Sequence, residues 1–256
     1  MSNSEAKIRD KIRKIEELYQ KGAISREIYL EIRRNLNEEL KRLKTSSHPY
    51  RETEEKLSYS EVVYIKAEEF VGKPRIFSMT RAPCANNKIK KDEFAASVLL
   101  AALTHLHSQR LISFSERERK VLMGLRKIQE LTVTSISRHG THGLEGAINR
   151  YAASQGNPSL KDLVEYIAGG SSPDPFEPVL THIKRGLSQK GLAYKKGRII
   201  KKYKINCEKA LPLAPHNYVA KIKNSMETLK LKIPSLYPII YNTLCLLIDT
   251  SDFGPD

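Results

Sequence analysis

Residues Phe94 to His107, FAASVLLAALTHLH, are almost wholly apolar, and a helix that is apolar on every side is stable only when other elements surround it. This stretch predicts a buried central helix with a domain built around it. The 256 residues and 40% apolar content supply one sizeable core and a small appendage. The most apolar stretch near the end, Ile233 to Ile248, is broken by Pro234 and Pro238. It falls short of the roughly 20 residues that a spanning helix needs. Met1 to Arg13 is polar and charged and does not read as a secretory signal.

Around the central helix, Ser60 opens a short helix through Ile65. Arg110 to Phe114 and Leu131 to Ser137 read as short strands. Gly143 to Ser154 and Leu160 to Ala168 read as helices, with Thr141 and Pro158-Ser159 as start signals. Pro178 to Lys190 is a further helix. It leads into LAYKKGRIIKKYKI, Leu192 to Ile205, two strand-like runs around Lys196-Gly197 that predict a basic β-hairpin. Asn217 to Leu231 and Tyr237 to Ile248 close the chain as helices. The expected fold class is mainly α, a helical domain with short β-hairpins over 58–256.

Ahead of it, apolar residues recur at helical spacing: Ile8, Ile12, Ile15 and Leu18, then Ile24, Ile28, Ile32 and Leu36. Gly22 can end the first helix and Ser25 cap the second, so residues 1–44 read as a helical hairpin. IEELYQKGAISREIYLEIRRNL resembles the short helical-hairpin module called SHOCT, which implies oligomerisation or tethering. One narrow apolar stripe on two short helices cannot bury itself. Residues 5–44 are therefore expected to meet another copy, a protein partner or the main domain. Residues 45–57 are polar and read as a linker.

The charge is concentrated. Of a formal net charge of +15, Gly72 to Lys91 carries six Lys or Arg and no acid, and Lys190 to Lys232 carries twelve against Glu208 and Glu227. Focused positive charge raises the local potential and steers polyanions. The candidate anion-binding residues are Arg81, Lys88, Lys90, Lys91, Lys184, Arg185, Lys195, Lys196, Arg198, Lys201, Lys202 and Lys204. Either a membrane surface or nucleic acid satisfies this pattern.

Catalytic chemistry finds little purchase. Ser137-Arg138-His139-Gly140-Thr141-His142-Gly143 has the Arg-His-Gly turn of histidine phosphatases, but the chain lacks the alternating strands and helices such a site sits on. His105 and His107 lie two apart on different faces of one helix and cannot chelate together; a buried, satisfied histidine is the expectation. Asp162 and Glu165 share a face and read as solvated surface. Cys84, Cys207 and Cys245 are odd in number and in no paired spacing, so neither a disulfide framework nor a zinc site is expected. A reducing interior follows from that reading. No cofactor, metal or catalytic residue is expected.

The order of elements from Leu57 to Asp252 resembles the Golgi phosphoprotein 3 family. LSYSEVVYI stands where that family opens its domain, and EFAASVLLAALTHLHSQRLISFS resembles its central helix and strand. LEGAINRYAASQGNPSLKDLVEYIAGG resembles the next two helices, IKRGLSQKGLAYKKGRIIKKYKI a helix and hairpin, and LYPIIYNTLCLLIDTSD a late helix. The resemblance implies a non-catalytic helical domain that binds phosphoinositide headgroups through a basic pocket with a tryptophan and arginines, and inserts an apolar hairpin. This chain has no tryptophan, and Glu177 and Leu180 occupy the places of two of those arginines. Lys88, Lys90 and Lys91 lie near the place of the third, and the hairpin is basic. The expectation is a cytoplasmic, peripheral membrane protein, an adaptor that docks electrostatically on anionic phospholipid. The alternative is a DNA-binding protein, with helix Pro178 to Lys190 and the following hairpin as recognition helix and wing.

Overall fold

The computed structural model describes residues 57–72, 79–121, 126–137, 142–170, 172, 174–197 and 202–249, with positions 11, 14–17, 19–20, 25, 29, 32–33 and 36 ahead of them. The chain divides into two units, Met1–Lys56 and Leu57–Asp256. In the first, the described positions from 11 to 20 and from 29 to 36 are helical. Tyr19 stacks on Tyr29 with ring centroids 4.5 Å apart, and Arg33 lies 3.5 Å from Glu16. Each contact joins one helical run to the other. The rest of the predicted hairpin, and residues 45–56 of the predicted linker, lie outside the described residues.

The second unit is mainly α with short β-hairpins. Its elements are α1 (Tyr59–Ile65), β1 (Met79–Arg81), β2 (Lys88–Lys90), α2 (Lys91–Ser108), β3 (Ile112–Val121), β4 (Arg126–Ser135), α3 (Gly143–Gln155), α4 (Leu160–Ile167), α5 (Phe176–Gln189), β5 (Ala193–Lys196), β6 (Lys202–Ile205), α6 (Cys207–Ala210), α7 (His216–Lys232) and α8 (Leu236–Asp249). Short 3₁₀ turns follow α1 and α6. Helix α2 is the expected central helix. From Phe94 to Thr104 every residue is buried, and α1, α3, α5, α7 and α8 all pack against it.

Helix α1 begins earlier than expected. Ser58 is its cap, accepting from the Glu61 N–H while the Glu61 carboxylate accepts from the Ser58 N–H at 2.7 Å. Ser60 is instead buried inside the first turn. Helix α5 also starts before Pro178, because the Asp174 carboxylate accepts from the Phe176 N–H and Phe176 itself is core. Helices α3 and α5 touch through Gly143 and Gly186. A Cβ on Gly186 would come within 3.2 Å of the Gly143 Cα and 3.0 Å of Glu61 Oε1, a contact only glycine allows.

The strands form three separate antiparallel pairs, β1–β2, β3–β4 and β5–β6. The β3–β4 hairpin runs ten residues on each side, well past the two short strands read from the sequence. Among its described side chains the apolar core residues are at the base: Ile112, Leu131 and Val133. Ser115 joins the buried Thr132 at 2.8 Å within that base, and beyond it Arg117 pairs with Glu130 at 3.1 Å and Lys127 with Glu118 at 2.6 Å.

Among the described residues no single helix is long and apolar enough to cross a membrane. Helices α7 and α8 together have the length and composition but bend by 94°. Their apolar faces, including Ile222, Leu229, Leu236, Ile240 and Leu244, are buried in the domain.

A candidate anion-binding surface on two tied hairpins

The two basic stretches meet at a disulfide. Cys84, in the turn between β1 and β2, is bonded to Cys207, which follows β6 by two residues; their Cα atoms are 5.4 Å apart. This corrects the reading of the cysteines as unpaired. An odd total concealed a pair separated by 123 positions, with Cys245 outside the disulfide. The inference of a reducing interior rested on unpaired thiols and falls with that reading. A cavity of about 600 Å³ opens beside the bond, lined by Tyr64 and Pro83 from one side and by Tyr194, Tyr203, Lys204 and Asn206 from the other.

Five of the expected cations stand exposed on the two hairpins. Arg81 is on β1, Lys88 on β2, Lys195 and Lys196 on β5, and Lys204 on β6. Among the described residues none of the five makes an ion pair. Lys195 sits over the Tyr203 ring, 5.3 Å from its centroid. In register, Tyr194 faces Lys204 and Lys196 faces Lys202. Alternation therefore sets Tyr194, Lys196 and Lys204 on one side of the hairpin. Tyr194 is 47% exposed, and sequence reasoning passed over it. The signal was available, because an aromatic alternating with lysines in a strand marks an amphipathic interface. Arg198 and Lys201 lie outside the described residues, as does the Lys202 side chain.

The remaining cations are committed to partners within the domain or stand apart. Lys90 pairs with Glu93 in the first turn of α2. Lys91 pairs with Asp174 and lies 5.5 Å from the centroid of the Phe176 ring. Lys184 is 2.7 Å from Glu177, the residue at one family arginine place. Arg185 is exposed on α5.

Below the second hairpin, the chain stores buried charge. Lys190, just after α5, reaches Glu61 Oε2 at 2.7 Å, and Glu145 accepts from the Ser60 N–H at 3.3 Å. Burial pushes both carboxyls above their ordinary range; Lys190 opposes this at Glu61, and the neighbouring Glu145 reinforces it. Burial also lowers the His105 pKa, against the pull of Glu61. With 3–4% exposure these carboxylates brace the fold rather than meet a substrate.

The histidine expectation is corrected. Nδ1 of His105 and Nδ1 of His107 are both buried without a hydrogen-bond partner, His105 edge-on to Tyr59 and His107 against Phe114. Arg138 to Thr141, the core of the phosphatase-like turn, lie outside the described residues. Among the described residues no three His, Cys, Asp or Glu side chains are grouped to hold a metal ion. No family model, no curated protein and no solved structure matches this chain.

Proposed function

We propose that this protein docks without catalysis on anionic phospholipid surfaces through the β1–β2 and β5–β6 hairpins, with residues 5–44 recruiting a second copy or a protein partner as an adaptor would. The observation that carries the reading is the Cys84–Cys207 bond, which ties the turn of one basic hairpin to the foot of the other. Arg81, Lys88, Lys195, Lys196 and Lys204 are the exposed cations of that platform. At roughly 1 kcal/mol per Lys or Arg near an anionic surface, Lys196 and Lys204 on the Tyr194 side of the second hairpin, with Arg81 and Lys88 of the first, supply on the order of 4 kcal/mol. That is enough for reversible, salt-sensitive binding. Tyr194 adds an amphipathic ring suited to the headgroup layer. The likeness of the chain to the Golgi phosphoprotein 3 family supports the same class of partner, with electrostatic docking in place of a selective pocket.

The helix-and-wing alternative fares less well at α5. Its Glu177 is exposed and holds Lys184, which sets a carboxylate where a recognition helix would meet DNA phosphates. Flotation with phosphatidylserine vesicles tests the proposal. The wild-type chain should float with them and not with neutral vesicles, and Lys195→Glu combined with Lys196→Glu and Lys204→Glu should abolish the binding. Undiminished binding by the triple variant contradicts it.

A further inference from the structure

A second basic concavity, which shares no lining residue with the two tied hairpins, lies between the end of α2 and the face of α7. It is a groove of about 900 Å³, within the size range of small-molecule sites. Its charged lining residues are Arg110, Lys221 and Lys232, with no carboxylate among them. All three are exposed, and among the described residues none makes an ion pair.

The hydrogen-bonding groups sharpen the charge preference. The lining hydroxyls have donated to backbone carbonyls: Thr104 to Leu100 at 2.7 Å, Ser108 to His105 at 2.8 Å, Ser225 to Lys221 at 2.9 Å and Thr228 to Asn224 at 2.7 Å. The Asn217 side-chain oxygen already accepts from the Tyr218 N–H, leaving its amide hydrogens to donate. The strong donors left for a ligand are therefore the guanidinium and the two ammonium groups. Ala220 and Leu229 supply apolar wall. Such a site wants a multiply charged anion on a compact apolar body.

The backbone of Arg110 is the second observation. Helix α2 ends with the Arg110 N–H bonded to the His107 carbonyl and the Leu111 N–H to the Leu106 carbonyl at 2.9 Å. In this type of helix ending the residue after the cap adopts the left-handed conformation and is usually glycine. Here it is Arg110, with φ at 56°. A side chain in that conformation is strained, and an exposed guanidinium without an ion pair gives the fold little in return. Strain of this kind persists where a side chain is needed for something else.

We propose that this groove is a binding site for a soluble organic phosphate, with Arg110 as the anchoring residue and Lys221 and Lys232 completing the anion's charge. The site is independent of the hairpin platform. Calorimetric titration with phenyl phosphate, with phenol as the uncharged control, tests it alongside thermal unfolding. Phenyl phosphate should bind and phenol should not. Arg110→Gly should weaken binding about tenfold or more while raising the unfolding midpoint by about 2–4 °C, since strain is relieved. Lys221→Gln, on the exposed face of α7, should weaken binding without moving the midpoint. The hairpin triple variant should bind phenyl phosphate like the wild type. The proposal is overturned if phenol binds as well as phenyl phosphate, if Arg110→Gly retains wild-type affinity, or if the hairpin variant loses it.

Discussion

The ammonium of Lys190 lies 2.7 Å from the carboxylate of Glu61 across 129 positions of sequence, with the Glu61 side chain only 5% exposed. Glu61 is also the third residue of α1 and closes the capping box that starts it. One carboxylate therefore fixes a helix start and receives the cation just after α5, where the chain turns toward β5. The basic hairpin is anchored to the core at its root.

Removing the cation should be costly. Lys190→Met leaves a buried carboxylate uncompensated, and breaking such a pair costs about 3–5 kcal/mol. Urea unfolding should show the loss in the single variant and recover most of it in Lys190→Met combined with Glu61→Gln. Equal loss in both would mean the pair is not what stabilises this corner.

Glu145 makes stability depend on pH in a definite direction. Its folded pKa is raised by burial above the usual 4.5. As pH climbs past 4.5 the unfolded chain releases this proton while the folded one retains it, so stability is full below that point and declines until the folded pKa is passed. Glu145→Gln should accordingly gain on the wild type as pH goes from 4 to 7. His105 and His182, both lowered by burial, act on the acid side: below about 6.5 the unfolded chain takes up protons that the folded chain refuses. Parallel pH curves for variant and wild type would remove Glu145 from the account.

The disulfide is open to direct counting. Thiol titration of the unfolded, unreduced chain should find one free thiol, Cys245, and reduction should expose two more. Cys84→Ser with Cys207→Ser should lower stability by about 2–4 kcal/mol and weaken vesicle binding by releasing one hairpin from the other. Three free thiols before reduction would contradict the pairing.

The core was legible and the platform was legible only in part. Phe94 to Leu106 announced α2 because no face of it is polar, and Ser159 marked the start of α4 through a side chain that caps the Asp162 N–H. Periodicity carries such information locally. The outer half of β3–β4 escaped because Arg117, Glu118, Lys127 and Glu130 are charged residues paired across strands, and charged residues on both strands leave no apolar alternation to read. The β1–β2 hairpin escaped for a similar reason, being three residues a side with Ile89 its one residue buried within the strands. Composition located the two basic stretches, but their meeting depends on a covalent bond across 123 positions, which charge counting cannot supply. Charge counting also treated Lys90, Lys91 and Lys184 as available, when each holds a carboxylate. Arg110 drew notice only as the start of a strand, since its left-handed backbone is visible in coordinates alone.

Co-sedimentation with anionic vesicles in the presence of excess duplex DNA sets the proposed docking of the tied hairpins on phospholipid against nucleic acid. The protein should stay with the vesicles, added salt should release it, and neutral vesicles should never capture it. Transfer of the protein from vesicles to duplex, with little capture by vesicles alone, would rule out phospholipid docking and point to nucleic acid as the partner.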